Sequence, residues 1–173
     1  MTELEVAILI QLARRYIQLP DPKWDAAACA DASQKTTEEV QQALKNLRSS
    51  HLISGHMQPG GQVVGRPAAT PQGIRKLMLL PIDEESLLDN FASVRADVIE
   101  YLLEHGPSSV QALQEPTGRT SKQLQPYLRL MGAMGHLTPL LRAGGRITSV
   151  SLGEVAAISR RVISRTEGER KGF

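Results

Sequence analysis

Two clusters of polar and basic side chains carry the chemistry this sequence offers. The first is Lys35, Thr36, Glu38, Gln41, Gln42 and Lys45 in SQKTTEEVQQALKNLRSSHLIS, and the second is Arg119, Thr120, Ser121, Lys122, Gln123 and Gln125 in RTSKQLQPYLRLMG. A glutamine amide can bond an adenine edge at two points, which makes Gln41 and Gln42 suited to reading a base. Basic and hydroxyl side chains at a helix N-terminus, beside its free amides, make a good phosphate site. Arg66 follows the Pro59-Gly60-Gly61 turn, and Arg142 and Arg146 flank Ala143-Gly144-Gly145. Arginine on such a turn suits a phosphate or the narrow, negative minor groove. Glu38 and Glu39 stand where phosphates would approach the first cluster, and Pro126 disturbs the helix that carries the second.

Other chemistries find little support. The four histidines are His51, His56, His105 and His136, and none shows a metal-ligand spacing. His51 and His136 sit beside the turns after the two clusters, where a helix-end role accounts for them. Cys29 is the single cysteine and lies in an alanine-rich stretch, so it reads as a small buried side chain. It can form no intramolecular disulfide, which fits a reducing compartment. The paired glycines are explained by turns and do not form a phosphate-cradling loop. The expectation is a protein that is not an enzyme, with no cofactor and no metal, cytoplasmic and nucleoid-associated. No apolar run approaches the ~20 residues that span a bilayer, and no membrane partner is expected.

The elements that must position these clusters can be read from periodicity. Residues 3–18 carry a broad apolar stripe (Leu4, Val6, Ile8, Leu9, Leu12, Ala13, Tyr16, Ile17) with Glu3, Gln11, Arg14 and Arg15 left over, and LPDPKW breaks that helix. WDAAACADA is a short second helix. Thr36 or Thr37 caps a third, with Glu39 or Glu38 in its first turn and Val40, Leu44 and Leu47 on one face. A hairpin at Pro59-Gly60-Gly61 follows, then a helix capped by Thr70 with Pro71 at its first position. The order recurs after PIDEESLLDN. Phe91, Val94, Val98, Tyr101 and Leu102 stripe a helix, and SSVQALQEPTG is a short helix capped by Ser108 or Ser109. Leu124, Leu128, Met131 and Leu137 mark the next; if Ser121 caps it, Pro126 falls past the free-amide turn and either kinks the helix or delays its start. Gly144-Gly145 turns a second hairpin.

Shifted by 84 positions, Val40 falls on Leu124, Leu44 on Leu128, Leu47 on Met131 and Ile53 on Leu137. With 41% apolar residues, four such matches arise by chance in about 3% of windows, so the ladder alone is weak. The repeated order of helix, short helix, ladder and Gly-Gly hairpin is what makes it an internal repeat. The implied domains are 1–80 and 91–152, joined by an acidic linker at 81–90. An amphipathic helix at 153–166, with Arg160, Arg161 and Arg165, and a disordered tail at 167–173 complete the chain. Charge is uneven: residues 81–118 hold one Lys/Arg against eight Asp/Glu, and 119–173 hold ten against three. The acidic waist offers a face to another protein, and the basic final third offers one to a polyanion.

Helix, short helix, longer helix and hairpin is the plan of the winged helix-turn-helix. The expected fold class is therefore mainly α (α+β), with two tandem winged helix-turn-helix units and short β-hairpin wings. The first ladder with its GRPAATPQGIRKL segment (Thr70, Pro71, Gly73) resembles winged-helix transcription regulators of the multiple-antibiotic-resistance-repressor type. SVQALQEPTGRTSKQLQPYLRLMGAMGHL resembles the helix-turn-helix of the same broad class. Such regulators carry one winged helix per chain, often with terminal helices that make a dimer, whereas here the unit is doubled. Tandem copies also resemble plasmid replication initiators, which bind DNA, and the kleisin-associated subunits of bacterial condensins, which chiefly bind protein. The resemblance implies a double-stranded DNA-binding protein, a transcription regulator or a replication or partition factor, able to pair as a homodimer. The alternative is a tandem winged-helix interaction subunit of a chromosome-organising or regulatory complex.

Overall fold

The first helix, α1 (Glu3–Ile17), starts by satisfying its own free amides. Thr2 Oγ1 accepts the Glu5 N–H at 3.2 Å, and the Glu5 carboxylate accepts the Thr2 N–H at 2.9 Å. Ile8, Leu9, Leu12, Ala13 and Ile17 are buried, as the stripe requires. Arg15 is a correction: it is buried with them at 3% exposure, not left on the polar side. Its guanidinium is buried along with its methylenes, so it does not reach back to water as a surface arginine does. The computed structural model describes residues 1–17 and 26–155. The LPDPKW break, nearly all of the expected helix at 153–166, and the tail lie outside the described residues.

The chain divides into two units, residues 1–89 and 90–173. In the first, α2 (Ala26–Ser33) buries Cys29 and Ala30, and burial pushes the Cys29 thiol pKa up. Next, α3 (Thr37–Ser49) buries Val40, Ala43, Leu44 and Leu47. Each large side chain sunk there contributes about 1.5–3 kcal/mol. Strands β1 (Ile53–Met57) and β2 (Val63–Ala69) then pair antiparallel, from Ile53 opposite Ala69 to Met57 opposite Val63. The register slips between Ser54 and His56, so β2 bulges around Gly65 and Arg66. Helix α4 (Pro71–Met78) begins at Thr70, whose hydroxyl accepts the Gly73 N–H at 3.0 Å and contacts the His51 carbonyl at 2.8 Å. A Cβ on Gly73 would lie 2.1 Å from the Leu52 carbonyl oxygen, so only glycine allows α4 this close to the wing. The acidic stretch read as a linker is itself folded. Glu84–Ser86 form a 3₁₀ turn capped by Asp83, Leu87 is buried, and the Ser86 carbonyl accepts from Arg14 Nε at 2.8 Å.

The second unit opens with α5 (Phe91–His105), which buries Phe91, Val94, Val98 and Leu102. Ser108 and Ser109, expected as helix caps, instead form strand β3 (Ser108–Ser109). Gly106-Pro107 turns the backbone into extended geometry at this point, and a free sheet edge is available to pair it. The short helix α6 (Gln114–Thr117) starts later, so Pro116 lies inside it, and Gly118 closes it. Helix α7 (Ser121–Met134) is capped by Thr120, not Ser121, and buries Leu124, Leu128 and Met131. Pro126 neither delays its start nor ends it. It stands in the interior and leaves the Lys122 carbonyl without an i+4 amide. Strands β4 (Leu137–Leu141) and β5 (Ile147–Leu152) form the hairpin, and the sheet order is β3-β5-β4.

The protein is thus mainly helical α+β, with two winged helix-turn-helix units in tandem. The offset of 84 holds in the backbone too. Gln34 and Gly118 both have a left-handed φ (53° and 62°), as do His51 and Gly135 (58° and 83°).

Candidate recognition surfaces

The surfaces expected to meet a partner are the outer face of each long third helix and the wing beside it. A reciprocal cap fixes the start of α3. Thr36 accepts the Glu39 N–H at 3.2 Å, and Glu39 Oε2 accepts the Thr36 N–H at 2.8 Å. These bonds, with Lys35 at 3.6 Å from Glu39 Oε1, hold the Glu39 carboxyl below its ordinary pKa. At the start of α7, Thr120 accepts the Gln123 N–H at 3.3 Å and Gln123 Oε1 accepts the Thr120 N–H at 2.9 Å. Thr120 both accepts from and donates to Gln123, whereas Thr36 is engaged as an acceptor at the helix end. Thr36 with Glu39 is readable from the sequence, and the cap of α7 stands one residue before the expected Ser121.

The two glutamines have an equivalent and unexpected use. Gln125 is buried. Its amide nitrogen donates to the Ile147 carbonyl at 2.9 Å, and its oxygen accepts the Ile147 N–H at 2.8 Å. Gln41 does the same to Val63, at 3.4 and 3.0 Å. Both pairs are 22 residues apart and separated by the offset of 84. Each amide takes the place of a neighbouring strand and fastens the start of the wing's second strand to the recognition helix. The amide edge that could bond a base at two points is thereby occupied by the wing, and one N–H and one lone pair remain on each side chain.

The other expected contacts divide in two. Gln42 donates to Asn46 Oδ1 at 3.0 Å, and Asn46 donates to Glu5 Oε1 at 2.9 Å, which ties α3 to α1. Ser121 Oγ accepts from the Gln114 amide at 3.0 Å. The Arg119 guanidinium lies 5.0 Å from the centre of the Tyr127 ring, and the residue is half-buried. Lys35, in its ion pair, is exposed at the mouth of α3. Lys45, Arg66, Lys122, Arg142 and Arg146 are exposed. Lys45 and Arg66 stand on the first unit, and Lys122, Arg142 and Arg146 stand on the second.

Between α3 and the first wing runs a shallow groove of about 230 Å³, lined by Glu38, Gln41, Gln42, Lys45 and Gln62. Residues outside the expected set also stand here. Arg129 Nη2 donates to the Gly145 carbonyl and braces the second wing from below. Lys45 lies against Gly61 at the equivalent place, so applying the 84-residue offset to Lys45 would have found Arg129. Leu140 and Leu141 are exposed on the second wing, a break in strand alternation that was visible in TPLLRAGG. Among the described residues, no three His, Cys, Asp or Glu side chains are grouped to hold a metal ion. No helix among them is long and apolar enough to cross a membrane.

No protein-family model and no curated protein matches the chain. Among solved structures, ScpB from Mycobacterium tuberculosis is similar over 89% of this chain and 95% of its own, at 15% identity and a TM-score of 0.29. So slight a likeness adds nothing to the side-chain geometry, on which the functional reading rests.

Proposed function

We propose that this chain is a tandem winged-helix protein-interaction subunit of a chromosome-organising or regulatory complex, without catalytic activity. One observation carries the reading. Gln41, expected to read a base, and Gln125, its equivalent on the second recognition helix, are both engaged by the wing backbone. With Thr36 and Thr120 spent on caps, each helix offers its partner few groups that distinguish one base pair from another. A recognition face with its polar groups satisfied internally suits contacts made by shape, charge and apolar area. Doubling of the unit is an arrangement shared with plasmid replication initiators and with kleisin-associated condensin subunits, and the engaged recognition-helix amides favour the second, protein-binding kind.

A second reading, double-stranded DNA binding, is favoured by Lys45, Arg66, Lys122, Arg142 and Arg146, all exposed and basic. These would touch phosphate and would bind sequences alike. Two measurements on the full-length chain separate the readings. Purification from the native host is expected to retain a stoichiometric protein partner. A gel-shift titration in low salt is expected to show only weak binding, indifferent to sequence and lost steeply with salt. Nanomolar binding to one duplex sequence, relaxed by Gln42→Ala, would overturn the proposal in favour of a sequence reader.

A further inference from the structure

We infer that the tip of the second wing docks an acidic amphipathic segment of a partner protein, through Leu140 and Leu141 as anchors and Arg142 and Arg146 as charge contacts. The inference rests on the protein-interaction reading and names its surface. Leu140 and Leu141 are 63% and 58% exposed. Neighbouring residues of a strand point to opposite faces, so one of two adjacent leucines on a half-buried ribbon would ordinarily be covered. Here the register slips between them, Leu140 opposing Ser149 and Leu141 opposing Ile147, and both stand in solvent. Every charge on the hairpin from 137 to 152 is an arginine: Arg142 and Arg146, both exposed, with no acid among those residues.

The first wing shows what the same ribbon looks like without this surface. His56 and Met57 take the places of the leucines, and Gln58 and Gln62 flank the turn where the arginines stand on the second. The second tip combines exposed apolar area with unopposed positive charge, and its complement must supply carboxylates beside apolar side chains. A carboxylate can take an arginine in a two-point bond, which adds direction to the attraction. DNA would meet the arginines and leave both leucines against hydrated phosphate and sugar. A lipid surface would meet both features, but two leucines give less apolar reach than a single acyl chain, itself a marginal anchor.

The test compares the full-length chain with Leu140→Ser/Leu141→Ser and Arg142→Glu/Arg146→Glu, all expressed in the native host. These are exposed positions, and near-unchanged thermal unfolding of the purified variants checks that they fold. A photo-crosslinking phenylalanine analogue placed at Leu141 reports what touches the tip. The expected result is at least a tenfold loss of the co-purifying protein in both variants, and a crosslink to a peptide with excess Asp and Glu beside apolar residues. If the wild-type chain and both variants keep their partner equally, the wing inference fails and the protein-interaction reading stands. If the wild-type chain retains no protein, that reading fails and takes the inference with it. A crosslink to nucleic acid or lipid, no crosslink at all, or loss from the arginine variant alone, also overturns the docking surface.

Discussion

The two units share their internal bonding and differ in what they show to solvent. At the offset of 84, the capping threonine, the residue that reciprocates it, the wing clamp and the Gly-Gly turn all have counterparts. The exposed positions change: Glu38 corresponds to Lys122, and Gln62 to Arg146. Two exposed lysines are replaced by half-buried arginines, Lys35 by Arg119 and Lys45 by Arg129. What keeps the recognition helix and wing together is duplicated, and what a partner would touch is not. The comparison teaches that the two surfaces are not two copies of one reader. One face is nearly neutral, and the other is basic with an apolar tip.

The sharpest asymmetry inside the shared frame is Pro126, whose counterpart is Gln42, each the sixth residue of its helix. Exchanging them tests whether the frame is the same. Gln42→Pro should destabilise the first unit by about 3 kcal/mol, because it removes the amide that serves the Glu38 carbonyl and crowds that carbonyl. Pro126→Gln should return a partner to the Lys122 carbonyl, a gain of about 1 kcal/mol in the second. Amide exchange resolved by residue on the full chain reads each unit separately. If Gln42→Pro leaves α3 protection unchanged, the two helices do not bear equivalent loads.

The clamps come next in size. Gln125→Ala strands the N–H and carbonyl of Ile147 in a buried place and should cost about 2 kcal/mol. Gln41→Ala should cost about 1 kcal/mol, since Gln41 is half-exposed and one of its bonds is long, so water can replace it. Thermal unfolding should separate the two by several degrees. Equal costs would mean that burial does not distinguish the wings.

Much of this frame was legible beforehand. The ladders, both hairpin turns and the caps of α3 and α4 follow from local spacing, because a helix face and a Gly-Gly turn need only near neighbours. What escaped was non-local. Two serines became strand β3 because the edge of β5 reached them, and Arg15 went inside among apolar neighbours. Gln41 looked like a base reader and Gln125 like part of a phosphate site, because nothing local shows that a strand 22 residues onward needs their amides. On the recognition faces, residue type was therefore a poor guide to availability.

The smallest effect is also the most selective. The capping partner in the first unit is ionisable, Glu39, and in the second it is Gln123. The pKa of Glu39 is lowered, chiefly by the Thr36 backbone N–H, from an ordinary value of 4.5. A carboxyl with a depressed folded-state pKa stabilises above its unfolded value, and that contribution disappears as pH falls through the folded one. Acidifying from neutrality should move the Thr36 amide resonance in a single titration whose midpoint lies below 4.5. The Thr120 amide should not follow, because its acceptor carries no proton in this range. In Glu39→Gln the Thr36 titration should vanish while the cap persists. Parallel titration of both threonine amides would mean that a distant group, and not the cap, sets the acid response.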